Sequence, residues 1–500
     1  MAAADAIRTL MAGLPAMGGR TSFERLPIPS SAAPVSATTE IPTMAKKTTK
    51  KTPKKTTRPL LQSNVHPDAA GIDLGAEELL AAVPAERDSQ PVRTFGTFTA
   101  DLHALRDWLL ACGIKTVAME STGNYWIAPY QILEDAGIEV FLVNARHVKA
   151  VPGKKTDVCD AQWLQHLHAA GLLNKSFRPS KEIVPLRYLM RHRGQLVEAA
   201  AQSIQHMQKV LTEMNIKLHH VFSDLDGVSA MRIIKAILGG QRDANQLWQL
   251  RDGRCKATRE KFSAAIQGDW RDEYLFVLGQ SVERWHETRR HLAACDEQIA
   301  QLTARVQGVT NEAVPNATGK RGGKNDFAFS IRDEAWRFYG VDLEAIDGVG
   351  TGTLAALMSE LGTGEQILRN FRSGAAFASW LGLCPNNKIT GGKIIQAKTR
   401  KVANKVATAL RMAAFGLGHS KSELGHYVRR MKGRLGKAEG ITAGAHKLAR
   451  IIYAMIQTRT PYSEPTACRS GPQATRRRLK NLQAAAAKLG FQLIPNQQLA

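Results

Sequence analysis

The chain has 500 residues, of which 44% are hydrophobic, 22% charged and only 6% aromatic. That is about three domains' worth of chain at ordinary domain size. It excludes a wholly disordered protein or a fibrous repeat, and no run approaches the roughly 18 uncharged apolar residues of a membrane span. The 68 Lys and Arg outnumber the 44 Asp and Glu, for a net charge of +24. This excess is segregated. Residues 46–58 (KKTTKKTPKKTTR) hold seven basic side chains and no acid, and residues 381–500 hold 22 basic side chains against Glu423, Glu439 and Glu464. The rest of the chain is close to neutral. Two separated basic regions suit a polyanion running past both, nucleic acid before any other; a general solubility charge would not divide in this way. Of the six cysteines none falls in a C-x-x-C pair, so zinc and redox spacings are absent. Reduced thiols and a cytoplasmic location are expected.

Residues 1–64 read as a disordered basic tail, rich in Ala, Pro, Ser and Thr before the Lys-Thr run. No apolar core of secretory type precedes a cleavage-like site, and Met44, opening MAKKTTKK, reads as the true start. From residue 65 the pattern becomes α/β. Ala69–Leu74 is a short apolar strand ending at Asp73 and Gly75, and Leu79–Val83 and Val92–Phe98 are the next strands. Asp101–Cys112 has helical spacing. Thr116–Met119 is a buried strand with Glu120 at its end, Tyr130–Ala136 a helix and Val140–Val143 a further strand. Strands alternating with helices predict a largely buried sheet with helices against it. Apolar residues in steps of three and four then run through 186–218, with one gap at Arg193, and through 276–306. These are two long amphipathic helices that pair with each other or across a dimer. A polar, Gly-rich stretch marks a linker at 311–340. Beyond it, 341–460 reads as all-α, through Leu343–Leu361, Phe371–Leu383, Val402–Leu417 and 443–457. Gly348-Val349-Gly350 has the look of a helix-hairpin-helix turn, whose backbone N–H groups can meet a phosphate, although such turns also occur as plain connectors. Residues 461–500 form a second basic tail.

Four acids stand out. Asp73 and Glu120 end strands, and Asp157 and Asp160, three apart in KKTDVCDAQWL, open a helix. Strand ends at one edge of an α/β sheet converge on a common crevice, and a spacing of three puts two side chains on one helix face. Together the four offer all-oxygen ligands for a hard divalent cation, as phosphodiester chemistry requires, because negative charge builds on the phosphoryl oxygens. Singly, each reads as well as a cap or a surface charge, Asp157 as an N-cap.

These residues resemble a known family. GIDLG, AMESTGNYW and LVNARHVKAVPGKKTDVCDAQWLQHLHAAGLL, followed by AIDGVGTGTLAALMSELG, FRSGAAFASWLGLCPNNKITGGK and AHKLARIIY, are similar in order and content to the DEDD transposases of the insertion-sequence 110 family. The resemblance covers roughly residues 65–460. It implies an RNase H-like (RuvC-like) domain over 65–183, with Asp73, Glu120, Asp157 and Asp160 binding Mg²⁺. It also implies a coiled-coil arm over 184–310 and a C-terminal transposase domain carrying a nucleophilic serine. That serine attacks DNA and becomes covalently linked to it, assisted by the acids of a partner subunit. The implied partners are donor and target DNA, a structured guide RNA, and further copies of the chain as a dimer or tetramer. The family serine precedes glycine in a segment like ISGGK, whereas here the segment is Ile389-Thr390-Gly391-Gly392-Lys393. Threonine keeps the hydroxyl but adds a methyl that crowds the oxygen and stiffens χ1, so slow or lost strand transfer is expected, with metal binding retained. Without the resemblance Thr390 reads as a turn residue before two glycines. Lys388, Lys393, Lys398, Arg400, Lys401 and Lys405 surround it in sequence and suit a scissile phosphate.

Three rival readings differ in class. A sugar kinase or ATPase of actin type would need a second Gly-rich phosphate loop, which residues 140–330 lack. A RuvC-like junction endonuclease would use the same acids with water and leave no protein–DNA adduct. An inactive nucleic-acid-binding relic would tolerate loss of Asp73.

Overall fold

The structure, a computed structural model, describes residues 65–121, 123–144, 148, 159–315, 323–464 and 472–492. The expected N-terminal tail and Asp157 lie outside the described residues. Two compact units divide the chain, Met1–Asn174 and Lys175–Ala500. No helix among the described residues is long and apolar enough to cross a membrane.

The first unit is built on a five-stranded sheet of β1 (Ala69–Leu74), β2 (Glu78–Ala82), β3 (Val92–Gly96), β4 (Thr116–Glu120) and β5 (Glu139–Val143), in the order β3-β2-β1-β4-β5. The first three strands form an antiparallel meander, and β4 and β5 continue parallel to β1. Alternation along β1 and β4 sorts their side chains between the two faces. Ala70, Ile72, Leu74, Val117 and Met119 share one core with Leu102, Leu105 and Leu109 of α1 (Thr99–Ala111) and Tyr130 and Leu133 of α2 (Ile127–Asp135). Ala118 and Val143, on the opposite face, pack with Trp163, Leu164 and Leu167 of α3 (Asp160–Ala169). Coverage on both faces is why β4 and β5 read as nearly continuous apolar runs.

In the second unit α4 (Ile183–Glu213) packs along most of its length against a later helix. It stops five residues short of the expected end because Asn215 turns left-handed (φ 60°) after the cap. A small bundle that sequence reasoning passed over follows: a 3₁₀ turn at Leu218–His220, α5 (Val228–Leu238), α6 (Ala244–Gln249) and α7 (Arg259–Ala265). It has its own core, in which Met207 and Leu211 meet Ile233, Ile237 and Phe262. The chain returns in α8 (Asp272–Arg305), the partner of α4. Arg193, the break in the apolar pattern, is buried between the two. It forms an ion pair with buried Asp296, donates to the Asn325 and Asp326 carbonyls at 3.1 and 3.0 Å, and stacks its guanidinium 3.7 Å from the Phe327 ring centroid. A charged residue on the apolar seam is therefore a buried cross-link, not a lapse in the helix.

The segment expected to be a linker contains α9 (Ile331–Tyr339), capped by the Ser330 hydroxyl and closed by left-handed Gly340. Its Phe338 and Tyr339 join the C-terminal core. That core is assembled from α10 (Thr351–Leu361), α11 (Gly364–Asn370), α12 (Gly374–Trp380), α13 (Lys405–Leu417), α14 (Glu423–Leu435) and α15 (Lys437–Thr458). Gly348-Val349-Gly350 precedes α10, but the limb before it is only a 3₁₀ turn, Leu343–Ala345, not the first helix of a helix-hairpin-helix pair. The region is also not all-α. β6 (Lys388–Thr390) and β7 (Lys393–Gln396) form an antiparallel hairpin, because paired glycines supply the positive φ angles that a two-residue hairpin loop demands. A final helix, α16, spans Pro472–Lys488.

Candidate active site

The parallel pairing of β1 with β4 sets Ile72 opposite Met119. Asp73 and Glu120 are the next residues on each strand, so they stand side by side at the carboxyl edge of neighbouring strands, whose spacing is about 4.8 Å. Both belong to the sheet face that α3 covers. Glu120 is two residues beyond Ala118 and opposite Val143, which both pack toward α3. Asp73 is two residues beyond Gly71, whose missing side chain would point into the α3 backbone. The ladder continues one step past Glu120, with Ser121 N–H donating to the Val143 carbonyl at 3.0 Å, which holds that strand end in register.

α3 is brought onto the same face by a close backbone approach. A Cβ on Gly71 would lie 2.3 Å from the Ala161 carbonyl oxygen and 2.4 Å from the Gln165 nitrogen. Gln165 Nε2 donates to the Ala69 carbonyl at 3.2 Å. Thr116 donates its hydroxyl to the Glu139 carbonyl (3.0 Å) and lies 2.9 Å from His168 Nε2, so it accepts the proton that His168 carries there. His66 N–H closes the far end on the Ala169 carbonyl at 3.0 Å. α3 therefore runs antiparallel to β1, and its amino terminus lies at the edge where Asp73 and Glu120 end. Asp160 is its first residue and is exposed. The N-cap is Cys159, whose sulfur accepts from Gln162 N–H at 3.4 Å. The helix begins at Asp160, and the helix face expected to be shared by Asp157 and Asp160 lies outside the described residues.

The donor chemistry suits a hard divalent cation: two adjacent carboxylates on one face, a third acid heading the helix over that face, and the positive end of the helix dipole at the same edge. Among the described residues no group of three His, Cys, Asp or Glu side chains is close enough to hold a metal ion. The structure brings Asp73 and Glu120 together and places Asp160 at the same edge.

Thr390 belongs to the second unit. It is the last residue of β6 and pairs with Lys393 across the turn Gly391-Gly392, whose φ angles are 56° and 76°. Asn386 N–H donates to the Lys398 carbonyl at 2.9 Å, and Arg400 reaches the Ser379 carbonyl, fixing the base of the hairpin. Thr390, its two glycines and the lysines at 388, 393 and 398 are all exposed. Of the neighbouring hydroxyls, Ser373 is occupied as the cap of α12, accepting from Ala376 N–H at 3.2 Å.

Sequence reasoning passed over Gly71, although an isolated glycine inside a strand is the usual mark of another backbone in close approach. It also passed over Cys159 and the hairpin, although Gly-Gly between Lys388-Ile389-Thr390 and Lys393-Ile394-Ile395 is a hairpin signal.

Residues 70–216 match a family model for DEDD transposases of the IS110 type, described as Transposase, and residues 342–428 match one described as Transposase IS116/IS110/IS902 family. The first match spans the four acids and the second spans Thr390. No curated protein matches the chain.

Proposed function

The chain is a transposase of the IS110 family, an enzyme that acts on DNA, and from that premise we propose that it cuts and transfers DNA strands with Asp73, Glu120, Asp157 and Asp160 holding a divalent cation, Mg²⁺, and Thr390 supplying the attacking hydroxyl. The observation that carries this reading is the in-register placement of Asp73 and Glu120 at the carboxyl edge of adjacent parallel strands, on the face headed by Asp160. The sheet order, three antiparallel strands followed by two parallel ones with helices on both faces, supports an RNase H-like fold of RuvC type. The paired helices α4 and α8 serve as the coiled-coil arm.

When bound, the cation neutralises charge on the phosphoryl oxygens and lowers the pKa of an attacking hydroxyl. The chain's own residues do the rest. The exposed hairpin presents Thr390 Oγ1 to a scissile phosphate, and Lys393, paired with it, offers an ammonium to the phosphoryl oxygens. Oγ1 bonds to phosphorus as a strand P–O bond breaks. The hydroxyl proton passes to solvent and the departing strand oxygen takes one up, so a phosphodiester is exchanged for a phosphothreonine ester and a free strand hydroxyl. A partner subunit supplies the acids, in a dimer or tetramer. A structured guide RNA selects the donor and target sequences, and the reaction takes place on the bacterial nucleoid in the cytoplasm.

The test is recombination between matched donor and target plasmids with the flanking RNA supplied. Parent and Thr390→Ser recombine, Thr390→Ser faster because its oxygen is less crowded, while Asp73→Ala and Thr390→Ala do not. Recombination by Thr390→Ala at the parent's rate removes Thr390 from the mechanism.

A further inference from the structure

The β6–β7 hairpin exposes more apolar surface than its fold requires. Ile389, Ile394 and Ile395 are 60%, 58% and 69% exposed, on strands of three and four residues that cover nothing. Single surface isoleucines are ordinary; three within one short hairpin make a contact surface. Cross-strand pairing divides this surface in two. Ile389 sits opposite Ile394 on one side, and Thr390 sits opposite Lys393 on the other. Ile395 is the extra residue of a bulge, since Ile389 pairs with Ile394 while Lys388 pairs with Gln396.

The surrounding charge identifies the occupant. Residues 366–422 contain no Asp or Glu and ten Lys or Arg, among them Lys388, Lys393, Lys398, Arg400 and Lys401. A protein partner would have to bring an acidic rim to every side of the isoleucines; a phosphate backbone meets that requirement everywhere. A two-stranded ribbon enters a groove of B-form DNA, whereas the deep, narrow major groove of an RNA duplex does not admit one. Ribbons also enter the minor groove, and apolar side chains carried into it act as wedges that part a base step.

We propose that Ile389 and Ile394 form a DNA wedge that unstacks a base step beside the phosphate addressed by Thr390 and Lys393. One hairpin would then do two tasks from its two faces, opening the duplex with one and addressing the backbone with the other. The proposal rests on the transposase reading of this segment but not on Thr390 being the nucleophile.

A synthetic DNA duplex carrying 2-aminopurine at its TA steps, the steps most easily unstacked, reads the wedge directly. Full-length parent raises the fluorescence on binding. Thr390→Ala raises it equally, and the Ile389→Ala/Ile394→Ala double variant binds the duplex, by fluorescence polarisation, with the rise lost. The two side chains are exposed, so the double variant keeps the parent's melting temperature. A double variant that unstacks as well as the parent overturns the proposal. So does a parent that leaves the DNA signal unchanged, or a rise seen only with an RNA duplex of the same sequence. A double variant that unstacks DNA normally but sediments as a smaller oligomer makes the face a protein interface, which also overturns it. If Thr390→Ala recombines while the isoleucine variant fails to unstack, the wedge stands and the nucleophile is elsewhere.

Discussion

Gly71 decides whether Asp73, Glu120 and Asp160 share an edge. It lies two residues before Asp73 on the same sheet face, and the backbone of α3 occupies the space where any side chain would project. Neither contacting atom belongs to a flexible side chain, so a methyl there must push the helix outward. Gly71→Ala is expected to cost about 1–3 kcal/mol in urea unfolding, the usual range for overpacking. Strand cleavage should fall much further than DNA affinity, because the helix bearing Asp160 moves while the basic C-terminal region is untouched. Cleavage at the parent's rate would show that the position of α3 is not critical. Asp73 and Glu120 were legible from sequence because a buried strand that ends in an acid leaves little choice of where that acid goes. The reading of Thr390 as the nucleophile rests on resemblance alone. The residue's surroundings are those of any hairpin turn, and a nucleophile is defined by what approaches it, which local pattern does not encode.

Among the elements, the α4–α8 pair carries the clearest energetic prediction. Arg193 and Asp296 are 7% and 5% exposed at their side chains. Asp296 also accepts the Ala328 N–H at 3.1 Å, so the pair ties the two helices to the segment leading into α9. Removing one partner strands a buried charge. Arg193→Met and Asp296→Leu should each cost about 3–5 kcal/mol, and the double variant should recover most of that loss; urea midpoints of the three proteins give the answer. Equal losses in single and double variants would mean that the bonds to the 325–328 backbone matter more than the pair. Helical periodicity revealed both long helices while misjudging the ends of α4, because capping, not hydrophobicity, stops it: Met214 and Leu218 continue the apolar spacing but are buried in the core of the neighbouring bundle. The short helices α6 and α7 lacked the length for a periodic signal, whereas α5 carries one in Ala230, Ile233, Ile234 and Ile237 that was passed over. The β6–β7 hairpin was missed because strand recognition looks for one buried face, and here both faces are exposed.

At the scale of the whole molecule, charge and chemistry are divided. The acids stand in the near-neutral first unit and the candidate hydroxyl in the basic C-terminal quarter, a division visible in the charge distribution before any element is assigned. Each part alone fits a bland role, a nuclease-like sheet or a basic helical core. Under the proposed mechanism they share one reaction, in which the acids would act on a phosphate held by the basic region and attacked by the hairpin hydroxyl. Mass spectrometry of the covalent protein–DNA adduct, trapped by denaturing a cleavage reaction with the guide RNA present, tests this joint action most directly. The adduct is expected to map to Thr390, to require a divalent cation, and to be absent from Asp73→Asn and Glu120→Gln. An adduct on another residue, or one formed equally by Asp73→Asn or in excess chelator, would contradict the proposed mechanism.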